Sequence, residues 1–329
     1  MNHQRTGPAP VLEIDGLGVR LSDDRAARPI LDGVSLHVRP GETVGLVGES
    51  GSGKSVACRS VLGLLPEGAR VDGEVRVAGR DVLTMNRAER ARLRAEQVAM
   101  VFQDPRASVN PLRRVGDFLT EGLRAAGTPA GAATARAEEL LASVGIRDPR
   151  GALRRYPHEF SGGMLQRVVI AAALAAEPAL LVADEPTTAL DVTTQAEIIA
   201  ILTRLRAERG TGLLFVTHDL ELASAICDRV YVMYAGRIVE TQGTDALFDR
   251  PRHPYTAGLL ACTPRIEAGA PAPRPIPGRP VSLAEAPAGC AFAARCAHAL
   301  PRCAAEAPVL ARHGDGLAAC HRADEGITL

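Results

Sequence analysis

The chain has 329 residues, about enough for two domains of average size. Charged residues make up 23% and hydrophobic residues 46%, values of a globular chain able to bury a core. The 38 basic and 38 acidic side chains cancel, which argues against a general nucleic-acid binder, and 3% aromatic content without Trp argues against base-stacking platforms. Lys54 is the one lysine among the 38 basic residues. Arginine does not replace lysine where a compact point charge is needed. The longest fully apolar run, Val168–Ala176, stops at Glu177-Pro178, well short of the ~20 residues of a membrane-spanning helix. Acidic and basic residues through the first 30 positions carry no secretory signal. A cytoplasmic location follows as an expectation, and with it seven cysteines free of disulfides.

Residues 11–46 read as short strands and turns, with alternation over Val34–Val38 and a turn at Pro40-Gly41. Thr43–Val47 reads as a buried strand, followed by a glycine-rich loop and a helix over Lys54–Leu65. Residues 85–160 are rich in Ala, Arg, Glu and Leu and read as a helical insert, with helices near Arg87–Gln97 and Ala132–Val144. Ala179–Ala183, Leu213–Val216 and Val230–Met233 read as further buried strands. Thr193–Arg209 reads as an amphipathic helix with Ile198, Leu202 and Leu205 on one stripe and Gly210 as its stop. Strands alternating with helices predict an α/β fold around a parallel sheet. Six prolines over Pro264–Pro280 mark a stiff linker. Residues 281–329 read as a separate small unit with its own cysteines.

Gly48-Glu49-Ser50-Gly51-Ser52-Gly53-Lys54-Ser55 fits G-x-x-x-x-G-K-[ST] between a strand and a helix. Such glycines turn backbone N–H groups inward to cradle phosphates. Lys54 then reaches the β- and γ-phosphates and Ser55 ligates Mg²⁺. The single lysine stands at the position where this loop requires one. Leu180–Glu185 is an apolar strand ending in two acids. The first, Asp184, suits Mg²⁺ through water, and the second, Glu185, suits the polarising of an attacking water. Alone, such a pair would more often cap a helix or line a surface turn. After a phosphate loop, the nucleotide reading prevails.

Phe160-Ser161-Gly162-Gly163-Met164-Leu165-Gln166-Arg167 resembles the signature motif of the ABC-family ATPases. Val101–Pro105, with Gln103, is similar to that family's Q-loop; Thr188–Asp191 to its D-loop; Val216–Asp219, with His218, to its switch histidine. The resemblance runs over residues 10–250. It implies a P-loop NTPase cassette with a mixed sheet core, an antiparallel β part and a helical subdomain. It also implies two ATP molecules sandwiched between two such domains. Ser161, Gly162, Gly163 and Gln166 would face the γ-phosphate of the opposite subunit. Gln103 would touch Mg²⁺ or water, Glu185 would act as base, His218 would hold the γ-phosphate and water in line, and Asp191 would belong to the D-loop. One departure stands out: the position where the family stacks adenine on an aromatic is Leu21, and no aromatic precedes Phe102. The stacking increment, about 1 kcal/mol, would be missing.

Val56–Pro66, Asn110-Pro111, Tyr156-Pro-His158, Ala183–Asp191 and His253-Pro-Tyr255-Thr256 with Leu259-Leu260 resemble the ATPase subunits of dipeptide, oligopeptide and nickel importers. Gly-Leu-Leu-Pro after the P-loop helix favours the D-type subunit of the pair. His253–Leu260 also reads as a capped surface helix. The resemblance implies a second ATPase subunit, two transmembrane permeases, an external solute-binding protein and a place on the cytoplasmic face of the bacterial membrane. Residues 10–252 would form the cassette, with a helical insert about 85–165, and 253–329 the C-terminal extension with its proline-rich linker 264–280. A nickel or other small-solute importer, or a soluble ABC ATPase without transport, is the alternative. Cys290, Cys296, Cys303 and Cys320 are spaced C-x₅-C-x₆-C-x₁₆-C, unlike common zinc fingers or ferredoxins. Spacing alone says that four thiolates could meet. The resembling family implies a [4Fe–4S] cluster there, with Zn²⁺ as the alternative and His298 and His321 as spare ligands. Cys58, Cys227 and Cys262 read as small apolar residues.

Overall fold

A computed structural model of the chain describes residues 8–22, 27–188, 190–263 and 272–325, with the side chains of Ser22 and Leu205 outside that description. The described chain divides into two compact units. One is built mainly from Arg76–Leu214, with Val38–Glu42 and the chain up to Leu12; the other from Glu13–His37, Thr43–Val75 and Phe215–Leu329.

In the first unit, the strands Val98–Val101 and Leu180–Asp184 pair in parallel, Val101 opposite Ala183. All five residues of Leu180–Asp184 are buried, which is why this segment reads as an unbroken apolar run rather than an alternating one. Its longer helices are Arg87–Glu96, Val115–Ala125, Ala130–Ser143, Gly162–Leu174 and Val192–Arg209, as the Ala- and Leu-rich composition predicts. Their starts are set by side chains. Asn86 accepts from the N–H groups of Ala88 and Glu89 while Glu89 accepts from the Asn86 N–H, a reciprocal cap. Asp191 caps Val192–Arg209 and Gly210, at φ 65°, ends it. Ile198 and Leu202 are buried on the predicted stripe; the Leu205 side chain lies outside the described residues.

In the second unit, Thr43–Val47 pairs in parallel with Arg229–Tyr234. That strand turns at Ala235-Gly236, both at positive φ, and runs back antiparallel as Arg237–Gly243. Two central residues at positive φ give the turn whose twist suits a two-residue hairpin. Arg237–Gly243 then pairs with Gly316–Ala318, which pairs with Ala311–His313. The cysteine-bearing tail is therefore stitched to the sheet edge by backbone hydrogen bonds. A separate sheet carries Ala27–Val38, Leu12–Ser22 and Ala69–Val77 in that lateral order.

Three expectations change. The helix after the glycine loop spans Lys54–Val61, not to Leu65, because Gly63 takes the left-handed conformation (φ 65°) and the N–H groups of Gly63 and Leu64 fold back onto Ser60 and Arg59. Residues 281–325 of the expected 281–329 unit do not stand apart; their strands join that sheet, and 326–329 lie outside the described residues. Pro254–Cys262 is a helix capped by the His253 ring, whose Nδ1 accepts from Tyr255 N, but it is not a surface helix: Pro254, Tyr255, Thr256, Ala257 and Leu260 are buried. The first part of the expected linker, 264–271, lies outside the described residues.

Candidate functional site

The second unit carries the glycine loop. Thr43–Val47 is wholly buried and delivers the chain into Gly48. A Cβ on Gly48 would lie 2.2 Å from the Met233 carbonyl oxygen, and one on Gly53 (φ 104°) would lie 2.6 Å from Leu31 Cδ2. Backbone approach therefore fixes Gly48, and the left-handed backbone fixes Gly53. Lys54 is nearly buried, and its Nζ donates to the Gly48 and Glu49 carbonyls at 2.6 and 3.0 Å. The ammonium thus lies across the loop that leads into the N-terminus of Lys54–Val61. Ser52 Oγ is buried without a hydrogen-bond partner, a group suited to an incoming phosphate oxygen. Ser50 and Gly51 sit at the exposed crest of the loop and Ser55 in the first helical turn. His218, exposed, follows the buried strand Gly212–Thr217, and Asp219 beside it caps the next helix. Leu21 is half-buried near the end of Leu12–Ser22.

The first unit carries the acids and the signature. Asp184 is buried at the end of its strand. Because Val98–Val101 and Leu180–Asp184 are in register, the residues just beyond their ends meet: Gln103 Nε2 donates to Glu185 Oε2 at 3.0 Å. Thr188 Oγ1 donates to the same oxygen at 2.9 Å. Glu185 takes φ 49°, a left-handed backbone that a non-glycine residue holds at a cost of about 1–3 kcal/mol. Such strain marks a carboxylate fixed in place rather than a free surface acid. Ser161 caps the signature helix Gly162–Leu174, its Oγ accepting from Met164 N. A Cβ on Gly163 would lie 2.5 Å from Thr194 Cγ2, so this glycine lets the signature helix approach Val192–Arg209 closely. Arg167 ties the same helices by pairing with Glu197. Gln166 is buried, with Nε2 unpartnered. Asp191 accepts from the N–H and hydroxyl of Thr194, and the backbone bond foremost holds its carboxyl below the usual range. Ala189, within the expected D-loop, lies outside the described residues.

The tail carries four free thiols. Burial raises the thiols of Cys290 and Cys296, and pushes Cys320 up to about 11; neighbouring cysteines of the set add to each shift. The sulfurs of Cys296, Cys303 and Cys320 accept backbone N–H groups from His298, Leu300 and Arg322 at 3.3–3.4 Å. Among the described residues no three His, Cys, Asp or Glu side chains are gathered to hold a metal ion. Neither the expected [4Fe–4S] cluster nor its Zn²⁺ alternative finds a gathered donor set in this arrangement, and His321 Nε2 faces the Glu306 carbonyl. Cys58 and Cys227 are buried apolar residues as expected.

Two residues that the sequence did not connect with the glycine loop complete it. Arg295 grips the Glu49 carboxylate through both Nη atoms, at 2.7 and 3.0 Å, and Tyr255 Oη accepts from Glu49 N at 2.8 Å. The 246-residue separation of Glu49 and Arg295 left no local pattern to find.

A glycine loop between buried strand and helix in one unit, and an acid-ended strand with a serine-capped glycine helix in the other, define a P-loop nucleotide-binding protein of the ABC type. Comparison with known proteins narrows this. Residues 31–188 match the ABC transporter family, and residues 239–303 match the C-terminal region of oligopeptide/dipeptide transporters. A probable peptide ABC transporter ATP-binding protein, y4tR of Sinorhizobium fredii, is 44% identical over 97% of both chains. The oligopeptide transport ATP-binding protein OppD of Salmonella typhimurium is 42% identical over 98% of this chain and 97% of its own. OppD of Mycobacterium tuberculosis is 46% identical over 96% of this chain, which spans 52% of that relative's length. Among solved structures, cbiO1 of Clostridium perfringens superposes with a TM-score of 0.63 at 26% identity, over 73% of this chain and 91% of its own. The ATP-binding cassette MJ0796, a dimer bound to ADP and Pi, gives 0.64 at 26% identity, over 71% of this chain and 98% of its own. The chain belongs to the ATP-binding proteins of the oligopeptide-type ABC transporters.

Proposed function

We propose that this chain binds and hydrolyses ATP to power an ABC importer for peptides across the bacterial cytoplasmic membrane. The observation that carries the reading is likeness along nearly the whole length of two peptide-transport ATPases, joined to a C-terminal region of the oligopeptide/dipeptide type. Residues 10–252 form the cassette and 253–329 the extension. Gly48–Ser55 cradles the phosphates; Lys54 neutralises their charge; Ser55, Gln103 and Asp184 hold Mg²⁺, which draws charge off the phosphoryl oxygens when bound. Glu185 takes the proton of a water as that water's oxygen bonds to the γ-phosphorus and the bond to the ADP oxygen breaks. Gln103 and Thr188 orient Glu185 from one side, and His218 steadies the γ-phosphate and water. Ser161, Gly162, Gly163 and Gln166 meet the nucleotide held by a second ATPase subunit, and Asp191 stands at the subunit boundary.

Partners are a second ATPase, two permeases and an external solute-binding protein, and the chain works at the cytoplasmic face of the membrane. No described helix is long and apolar enough to cross that membrane itself. In this reading Cys290, Cys296, Cys303 and Cys320 would hold the [4Fe–4S] cluster that the resemblance implies, and backbone N–H groups already point at three of those sulfurs. The test is an anaerobic pull-down of the tagged chain from detergent-solubilised native membranes. Two permeases, a second ATPase and a peptide-loaded binding protein support the importer; recovery with ribosomes or DNA proteins overturns it. Iron and acid-labile sulfide in the same preparation, lost in Cys296→Ser, support the cluster; their absence from the unsubstituted chain overturns it.

A further inference from the structure

Glu49 places a carboxylate inside a loop whose ligand is polyanionic. Left alone it would repel phosphate. Arg295 removes that charge: its Nη1 and Nη2 meet Oε2 and Oε1 of Glu49 at 2.7 and 3.0 Å, and only 5% of the Arg295 side chain is exposed. The guanidinium is itself held. Its Nε donates to the Pro277 carbonyl at 2.8 Å, Nη1 also reaches Tyr234 Oη at 3.4 Å, and its carbon stands 5.8 Å from the ring centres of Tyr234 and Phe292. The backbone of Glu49 is held as well, its N–H donating to Tyr255 Oη. Tyr255, Tyr234, Phe292 and His253 pack as one buried ring cluster, with Tyr234 and Tyr255 centred 4.6 Å apart. Phe292 and Arg295 both lie on the short loop between Cys290 and Cys296.

We propose that Arg295 and Tyr255 are positioning residues for the phosphate loop: the C-terminal extension neutralises and fixes Glu49, so ATP affinity depends on the state of the Cys290–Cys296 loop. The proposal rests on the ATP-binding reading above. A planar guanidinium in a bidentate pair fixes direction as well as charge, which a lysine does not. Truncating Arg295 leaves a carboxylate uncompensated beside the bound phosphates. This acts on nucleotide binding, whereas the reacting water is served by other groups, so KM moves and kcat does not.

The experiment measures ATP binding by a fluorescent ATP analogue, and steady-state ATPase of the purified transporter, for the unsubstituted chain and for Lys54→Ala, Arg295→Ala, Arg295→Lys, Tyr255→Phe, Glu49→Gln and Arg295→Ala/Glu49→Gln. Arg295→Ala is expected to raise KM for ATP about tenfold with kcat held within about twofold. Adding Glu49→Gln, which deletes the uncompensated charge, restores KM to near its starting value. Arg295→Lys falls between, and Tyr255→Phe, which keeps the ring packing, raises KM severalfold. An Arg295→Ala chain that is folded by circular dichroism with unchanged KM, or a double variant no better than the single, overturns the proposal. If Arg295→Ala does not fold, Arg295→Lys and Tyr255→Phe decide: unchanged KM in both overturns it. Loss of binding in Lys54→Ala beside normal binding in Arg295→Ala sinks the positioning role of Arg295 alone. An unsubstituted chain that binds no ATP sinks the reading beneath it.

Discussion

The glycine loop and the cysteine tail share one compact unit and are held together by opposite means. Gly48–Ser55 owes its shape to near neighbours: a buried strand before it, a helix after it, and a lysine folded back onto two carbonyls of the same loop. Cys290–Cys320 is held from afar, by strand pairing of Gly316–Ala318 to Arg237–Gly243 and by the Arg295–Glu49 pair. The first region gets its chemistry from local sequence; the second acts by what it does to the first. An appended segment can thus bear on a nucleotide site by completing a charge balance, without supplying a group that touches the reaction.

The largest effect expected comes from breaking the local region. Lys54→Ala should cut ATP hydrolysis by about 100-fold or more, since a preorganised charge aimed at the phosphates is lost. A coupled-enzyme ATPase assay checks this. Gly48→Ala comes next. Its Cβ would meet the Met233 carbonyl at 2.2 Å, and overpacking of this kind costs about 1–3 kcal/mol, read as a lowered urea midpoint.

The extension offers a smaller, pH-dependent contrast. Burial keeps His253 neutral and lowers its pKa to about 4 from 6.5. The unfolded chain therefore takes up more protons there between those values. His253 gives its full stabilisation above about pH 6.5 and loses it as pH falls toward 4. Glu240, which accepts from the Arg252 and His253 N–H groups, acts with the opposite sign: burial raises its carboxyl, so its contribution fades as pH rises from 4.5. Comparing chemical denaturation with His253→Gln isolates the first term, and the variant should be less acid-sensitive across that window. The smallest effect is Asn86→Ala, which lies in the other compact unit. It removes a reciprocal helix cap worth about 1 kcal/mol and should leave KM for ATP unchanged.

Legibility followed the same division. Thr43–Val47 and Leu180–Asp184 were readable because strands buried on both faces need apolar residues at every position. The Lys54–Val61 helix was overshot because Leu64 and Leu65 continue the apolar pattern while Gly63 supplies the left-handed stop. The meeting of Gln103 and Glu185 depends on parallel register, which no single-strand pattern encodes. The contacts of Arg295 and Tyr255 with the loop were hidden for a stronger reason: an arginine and a tyrosine in a distant segment look the same whether they face water or a phosphate loop. Four cysteines announced themselves by type, but their spacing says nothing of the distances between sulfurs.

The most direct test of the central claim is ATP turnover by the complete transporter in sealed vesicles, followed together with peptide entry. With peptide-loaded binding protein outside and this chain on the opposite face, ATP hydrolysis should rise and labelled peptide should accumulate. Both should stop in Glu185→Gln while ATP still binds. Peptide accumulation that continues in Glu185→Gln, or ATP hydrolysis by the unsubstituted complex that moves no peptide, would contradict the account.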